Sequence, residues 1–285
     1  MTAIRNPIEW ILDFLRQATH HTASITQSLA GSEAEARLPA INRISVADLR
    51  DAIAKGIDDF KACRTDVLVL SVIYPIAGLT LWWMVSNYEM LPLLFPLVSG
   101  FALIGPVAAV GLYEMSRQRE LGKNPSWADA FDVVRSPAFG SIAVLGLALL
   151  AIFLLWLAAA QNIYTAFLGQ PPTSAAAFLR DVFTTRAGWA MALMGIAVGF
   201  VFAVLVLSVS VVSFPILLDR NVGLSAAVIT SVRTVLANPI PMACWGLIVA
   251  GSLLLASIPL FLGHIVAVPV LGHATWHVYR KLVAH

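Results

Sequence analysis

The stretch FGSIAVLGLALLAIFLLWLAAA, Phe139–Ala160, holds no charged residue and only one hydroxyl, Ser141. A helix needs about 20 mostly apolar residues to cross the hydrocarbon core of a bilayer. This run therefore predicts a membrane span. The whole chain agrees with it: of 285 residues, 59% are hydrophobic and 12% charged, and the mean hydropathy is +0.83. A soluble domain carries about 25% charged residues, so a soluble protein of this size could not cover its surface with so few. The expected fold is an all-α polytopic membrane protein.

Five further runs have the length and apolarity of spans: Val67–Ser86, Leu91–Met115, Ala187–Leu218, Pro241–Ile258 and Leu260–Tyr279. Pro215 is expected to kink the end of the long Ala187–Leu218 run. A very tight turn near Pro259 must join the last two. Six spans make three hairpins, and only Gln161–Arg186 forms a long polar segment on the far side. Of the 18 Lys+Arg, only Arg180 and Arg186 fall there. The positive-inside rule then predicts a multi-pass membrane protein with both termini in the cytoplasm. Trp82, Trp83 and Tyr88 at the first hairpin, and Trp156, Tyr164 and Trp189 around the far loop, stand where an aromatic belt is expected.

An amphipathic segment precedes each hairpin. In Ser45–Arg64, Ser45 and Asp48 make a capping-box start, and Val46, Leu49, Ile53, Ile57 and Phe60 recur at helical spacing. Ser126 and Asp129 repeat that start, with Trp127, Phe131 and Val134 on one face. The third segment, Leu224–Ala237, presents Ile229, Val232 and Leu236, lacks the acidic cap partner and stops at Asn238–Pro239. The expected organisation is an N-terminal amphipathic helix and linker (1–40), then a six-span domain (41–285) in repeat units of about 45–115, 126–218 and 225–280, with the three amphipathic helices lying on the cytoplasmic face, apolar side down. Within 1–40, Asn6 caps and Pro7 opens a helix with a stripe through Ile11, Phe14, Leu15 and Ala18, suited to the membrane surface or to a docking partner. A weaker echo pairs Pro106, Tyr113-Glu114 and Arg117 with Pro269, Trp276-His277 and Arg280 at the same offsets.

Chemistry is sparse. No Asp, Glu, Lys or Arg lies well inside an expected span, whereas ion-coupled transporters place such groups near the midplane. Walker, GxSxG and HExxH motifs are absent. Ser208, Ser210 and Ser213 could line a polar gap or serve helix packing. Gly195 and Gly199 fit a helix-contact pattern, read here as internal packing. His273 and His277 share a helix face four residues apart and could join in a metal or haem site. Their place one and two turns before Arg280-Lys281 favours hydrogen bonding near the inner interface, with water, Glu114 or a backbone carbonyl. Glu114, His273, His277 and Arg280 are thus the candidate polar residues, as interhelical or interfacial groups; neither a catalytic residue nor a cofactor is expected. Cys63 and Cys244 are too few for a disulfide framework or a zinc ligand set.

SFPILLDRNVG (Ser213–Gly223), NPIPMACWGLIVAG (Asn238–Gly251) and PLFLGHIVAVPVLGHATWHVYRKLV (Pro259–Val283) resemble the bacterial integral membrane family called domain of unknown function 2189, with DLRDAIAKGIDDF and IYPIAGL as its N-terminal part. The resemblance runs from about Ile41 to Val283, and GHATWHVYRKL is its most specific piece. It implies a membrane fold and no established activity. Some members have been labelled a cytochrome oxidase main subunit, which ligates haem and copper through histidines on several spans. Here His264, His273 and His277 all fall on the last span, so that label does not fit. The preferred reading is a non-catalytic membrane protein that packs with or scaffolds other membrane components or itself; passive transport of a small solute comes next, and a metal or haem enzyme third. The partners expected are the lipid bilayer and membrane proteins, not nucleic acid.

Overall fold

A computed structural model of the chain describes residues 38–63, 75–76, 78–80, 83, 88–126, 129–169, 171–220, 222–259 and 261–284. The 1–40 helix and most of the Val67–Ser86 run lie outside them. The described residues form helices, with one isolated antiparallel bridge between Ile41 and Val283.

The α-helices with described bounds are, in order, α1 Val46–Ala62, α2 Leu94–Ala108, α3 Val110–Glu120, α4 Phe139–Phe167, α5 Ala175–Thr184, α6 Arg186–Ser210, α7 Ser213–Asp219, α8 Leu224–Ala237, α9 Pro239–Ser257 and α10 His264–Leu282. Short 3-10 turns occupy Tyr88–Leu93 and Asp129–Arg135.

Three stretches among the described residues are long and apolar enough to cross a membrane: α4, the α6–α7 run Arg186–Asp219, and α9. Two shorter apolar helices, Leu91–Gly100 and Leu224–Ala237, accompany them. Only 6% of the most apolar window of Arg186–Asp219 is buried within the protein, and Phe200, Val201, Leu247, Leu254 and Ile258 point outward. Apolar side chains turned out over this length need hydrocarbon, not water, as their solvent.

Several boundaries differ from the sequence expectation. The second expected span breaks at Ala109, whose N–H bonds Gly105, and Pro106 lies one turn before, where its ring and missing N–H disturb the ladder. The long fourth run turns at Val211–Val212, ahead of Pro215, which sits within α7. The far-side segment expected to be a loop is largely helical, since α4 continues to Phe167 and α5 fills Ala175–Thr184. The hairpin between α9 and α10 turns through Phe261 in the left-handed region (φ 63). Gly263 lies so close to Ala256 that a Cβ there would meet its Cα at 2.7 Å.

The sixth expected span is where burial matters most. α10 is 19 residues long, yet it is not among the three stretches that satisfy the apolar criterion; His273, His277, Arg280 and Lys281 lower its hydropathy. From Leu271 to Leu282 almost every residue is buried against other helices. Its second half is an internal post, packed by α1, α3, α7 and α9.

The amphipathic segments also depart from expectation. In α1 the buried positions are Leu49, Ala52, Gly56 and Asp59, one residue round the helix from the larger apolar set; Val46 is exposed. Small residues win the inner face because α1 crosses α10 backbone to backbone. Within the Ser126–Ser136 segment, Asp129–Arg135 forms a 3-10 turn, in which Ala130 and Val133 are buried and Val134 is exposed. The expected face residue Trp127 lies outside the described residues. In α8 Ala227, Thr230, Ser231 and Thr234 are buried, while Ile229 and Leu236 of the expected apolar stripe face away from the protein. Thr230 and Thr234 return their hydroxyls to the carbonyls of Ala226 and Thr230, and Ser231 Oγ accepts the Val212 N–H at 3.2 Å. Small and hydroxyl residues inward, large apolar ones outward, is the arrangement of helices packed in lipid.

Trp156 and Tyr164, expected in an interfacial belt, belong to the interior. Trp156 donates its Nε1–H to Ser99 Oγ at 3.0 Å and packs against Gly199. Gly195 has open space around it. Trp189 is exposed beside Phe183.

Candidate functional site

Ser45 caps α1, and Asp48 returns its carboxylate to the Ser45 N–H at 2.8 Å. This hydrogen bond, that from the Ser45 hydroxyl and those from Lys281 hold Asp48 at about 2, well below the usual carboxylate range. The chain before the cap runs antiparallel to the end of α10. Asn42 N–H donates to the Leu282 carbonyl at 2.8 Å, and Ala284 N–H to that of Ala40 at 3.0 Å. Asn238, at the junction of α8 and α9, clamps the strip by accepting from Ile44 N–H at 2.9 Å and donating to the Asn42 carbonyl at 3.1 Å.

From that strip α1 and α10 run side by side in opposite directions. Lys281 reaches Asp48 at 3.2 Å and Asp51 at 2.8 Å. Two turns further along α1, a Cβ on Gly56 would lie 2.6 Å from the backbone nitrogen of Ala274. α3 completes the wedge, since a Cβ on Gly272 would meet Leu112 at 2.6 Å. This approach carries Asp59 into the interior, where it is 6% exposed.

Asp59 is the hub of the cluster. Its Oδ2 lies 2.7 Å from Ser116 Oγ and 2.8 Å from His277 Nε2, and Arg119 donates to Oδ1. Ser116 Oγ also lies 2.7 Å from His273 Nδ1. Proton counting assigns the donors. A carboxylate only accepts, and the serine has a single O–H, which goes to Asp59. His273 must then carry its proton on Nδ1 and donate to Ser116 Oγ, while His277 donates from Nε2 to Asp59. The chain is His273 Nδ1–H to Ser116 O–H to Asp59, with His277 and Arg119 converging on the same carboxylate. Burial pushes Asp59 up, but the hydrogen bonds from His277 and Ser116 outweigh it and hold the group below its ordinary value. His273 Nε2, buried, has no hydrogen-bond partner among the described residues.

The four residues singled out from sequence are therefore divided. His273 and His277 meet at Asp59, one through Ser116 and one directly. Their neighbour is not Glu114, which is buried and held by Arg117 at 2.8 Å and by Gln118. Arg280 forms a second cluster, reaching Glu120 at 2.9 Å and Asp219 at 3.4 Å. Trp276 adds an Nε1–H to Glu120 at 3.0 Å, and Tyr279 an O–H to Asp219 at 2.6 Å. Asp59, Ser116, Arg119, Glu120 and Asp219 were not found from sequence. The available signal was the spacing Leu49, Ala52, Gly56, Asp59, Cys63, a seam with glycine at its centre and a carboxylate on the same face.

As chemistry, the cluster is a string of donors ending on one anion. A Ser–His–Asp set is present, but the serine bridges the other two and is 1% exposed. The imidazole nitrogens that face the cluster are taken by Ser116 and Asp59, and no group of three His, Cys, Asp or Glu among the described residues has metal-binding geometry.

The segment from the first residue of α2 to the last of α7 supplies Ser116, Arg119, Glu120 and Asp219, together with two of the three lipid-length stretches. Residues 94–219 match the family model DUF2189, a predicted integral membrane protein. The DUF2189 match is shorter than the resemblance read from sequence, which extended over 41–283. Asp59, His273, His277 and Arg280 lie outside it, as does GHATWHVYRKL. The polar end is thus built where the DUF2189 segment meets helices from both flanks. No curated protein and no solved structure was found to match the chain.

Proposed function

We propose that the chain is a non-catalytic, polytopic protein of the bacterial inner membrane that acts by packing with or scaffolding other membrane components. The observation that carries this reading is the closure of the polar end. Asp59, Ser116, His277 and Arg119 spend their hydrogen bonds on one another, as Arg280, Tyr279 and Trp276 do on Asp219 and Glu120. Buried networks paired in this way rigidify and specify a packing arrangement, and within this one His273 Nε2 is left without a partner among the described residues. The outward apolar faces of α6, α8 and α9 are the surfaces left for lipid or for other membrane helices. Passive transport of a small solute, the alternative reading, would need a polar path. Ser210 and Ser213 return their hydroxyls to the carbonyls of Val206 and Val209 on their own helix turn, which suits packing better than a pore lining.

The proposed topology has six spans with both termini cytoplasmic. Pairing of residues 40–42 with 282–284 sets both ends of the described chain at one end of the molecule, which fits an even number of crossings, and the Lys+Arg asymmetry orients them. Reporter fusions after His285 and within Gln161–Pro172 should report cytoplasmic and external locations respectively. Both on one side would overturn the topology.

A further inference from the structure

Away from the polar cluster, on the opposite face of α10, lies a cavity of about 510 Å³ between α2, α6, α9 and α10. That size falls within the range of small-molecule sites, roughly 300–1,000 Å³. Pro106 and the helix break at Ala109 stand in its wall, and small residues face it: Gly105, Ala109, Ala203, Ala243, Gly246 and Ala250. Small residues on membrane helices ordinarily let backbones close on each other. Here they do not, and a Cβ on Gly105 would meet nothing within 4 Å.

The walls offer hydrocarbon and little else. Ser210 and Thr275 line the cavity, but their hydroxyls are given to the carbonyls of Val206 and Leu271. Tyr113 and Trp245 add only the polar tips of two rings, and a cavity so largely apolar takes apolar guests. Its rim indicates where the guest enters. Phe200 and Leu247, both lining residues, are 67% and 72% exposed, and they stand on the outward faces of two membrane-length helices. The floor, Leu271, Gly272 and Thr275, is buried. The opening therefore lies between α6 and α9, toward the bilayer.

We propose that this cavity is a lateral binding site for one acyl chain of a bilayer phospholipid, inserted between α6 and α9 and ending against α10. Bulk lipid wets only the outer faces of α6 and α9; this chain reaches the floor. The site is independent of the scaffolding reading.

The test reconstitutes the full chain in phosphatidylethanolamine–phosphatidylglycerol vesicles containing a phospholipid with a diazirine midway along one acyl chain. Irradiation is followed by peptide mass spectrometry. Adducts are expected on Leu271–Thr275 as well as on the outward Phe200 and Leu255. Gly105→Leu fills the cavity where no atom stands in the way, so it should lower the Leu271–Thr275 adducts several-fold and leave the outward ones unchanged. Absence of floor adducts, or floor adducts indifferent to Gly105→Leu, would overturn the site. So would displacement of the floor adducts by an isoprenoid quinone but not by excess unlabelled phospholipid, which would assign the cavity to a different tail. If Phe200 and Leu255 also remain unlabelled, the membrane reading fails with it.

Discussion

Asp59→Ala should be the most damaging single polar substitution in the described chain, lowering stability by about 3 kcal/mol. The carboxylate takes hydrogen bonds from Ser116, His277 and Arg119, so alanine strands three donors at once. Two of them, on Ser116 and His277, are shielded, with side-chain exposure of 16% for His277. Arg119 is 37% exposed and can turn to water, which keeps the expected loss at the lower end of the range for a broken buried pair. Asp59→Asn retains an acceptor and nearly the same volume but forfeits the charge, so it should cost clearly less. Unfolding in mild detergent, followed by helical circular dichroism against denaturant, reads both. A loss under about 1 kcal/mol for the alanine variant, the size of one ordinary hydrogen bond, would mean the cluster does not hold α1, α3 and α10 together.

Gly56→Leu tests the same junction by volume instead of charge. Even the first added carbon at this position would sit 2.6 Å from the Ala274 nitrogen and 2.8 Å from its Cα. Those are backbone atoms and cannot rotate aside, unlike the far end of a side chain. Overpacking costs about 1–3 kcal/mol where neighbours can yield. Gly56→Ala should fall in that range, and Gly56→Leu should exceed it by forcing α1 off α10. Because each 1.4 kcal/mol is about tenfold in population, trypsin cleavage at Arg50 and Lys55 should accelerate by about 5–150-fold in Gly56→Ala under conditions where cleavage follows the open population. Both residues lie on the exposed side of α1. Cleavage rates matching wild type in both variants would refute the close crossing.

What could be read from sequence follows the strength of the physical signal. Phe139–Ala160, Ala187–Leu218 and Pro241–Ile258 were legible because long uncharged apolar runs have few alternatives to a membrane. The Ser45–Asp48 and Ser126–Asp129 caps were legible because they are local; the first forms a full capping box, and at the second the Asp129 carboxylate accepts from Ser126. Whatever depends on which face turns inward was not. On α1 the larger apolar residues, Ile53 and Ile57, suggested a stripe, but the inner face is chosen by the smallest residues, which allow the closest crossing. On α8 the apolar stripe was read as facing the membrane, and Ile229 and Leu236 do face away from the protein, but the inward turn of Thr230, Ser231 and Thr234 was not read. The burial of the Gly272–Leu282 half of α10 among other helices was not legible from its length and apolarity. Asp59 escaped notice because, within Gly56-Ile57-Asp58-Asp59, nothing local separates the buried carboxylate from its exposed neighbour; only the partners on α3 and α10, far away in sequence, do.

The account depends most on His273 and His277 serving the Asp59 cluster and not a required cofactor. The direct measurement is the metal content and visible absorption of natively purified protein, alongside the unfolding free energy of the His273→Gln/His277→Gln double variant. Glutamine keeps a donor of similar reach but removes most metal affinity. The expected result is no stoichiometric metal or Soret band in the wild type, and a variant that still folds, losing about 0.5–1.5 kcal/mol for each disturbed hydrogen bond. A wild type carrying a stoichiometric metal or haem that the double variant lacks would contradict the account and make these two histidines ligands.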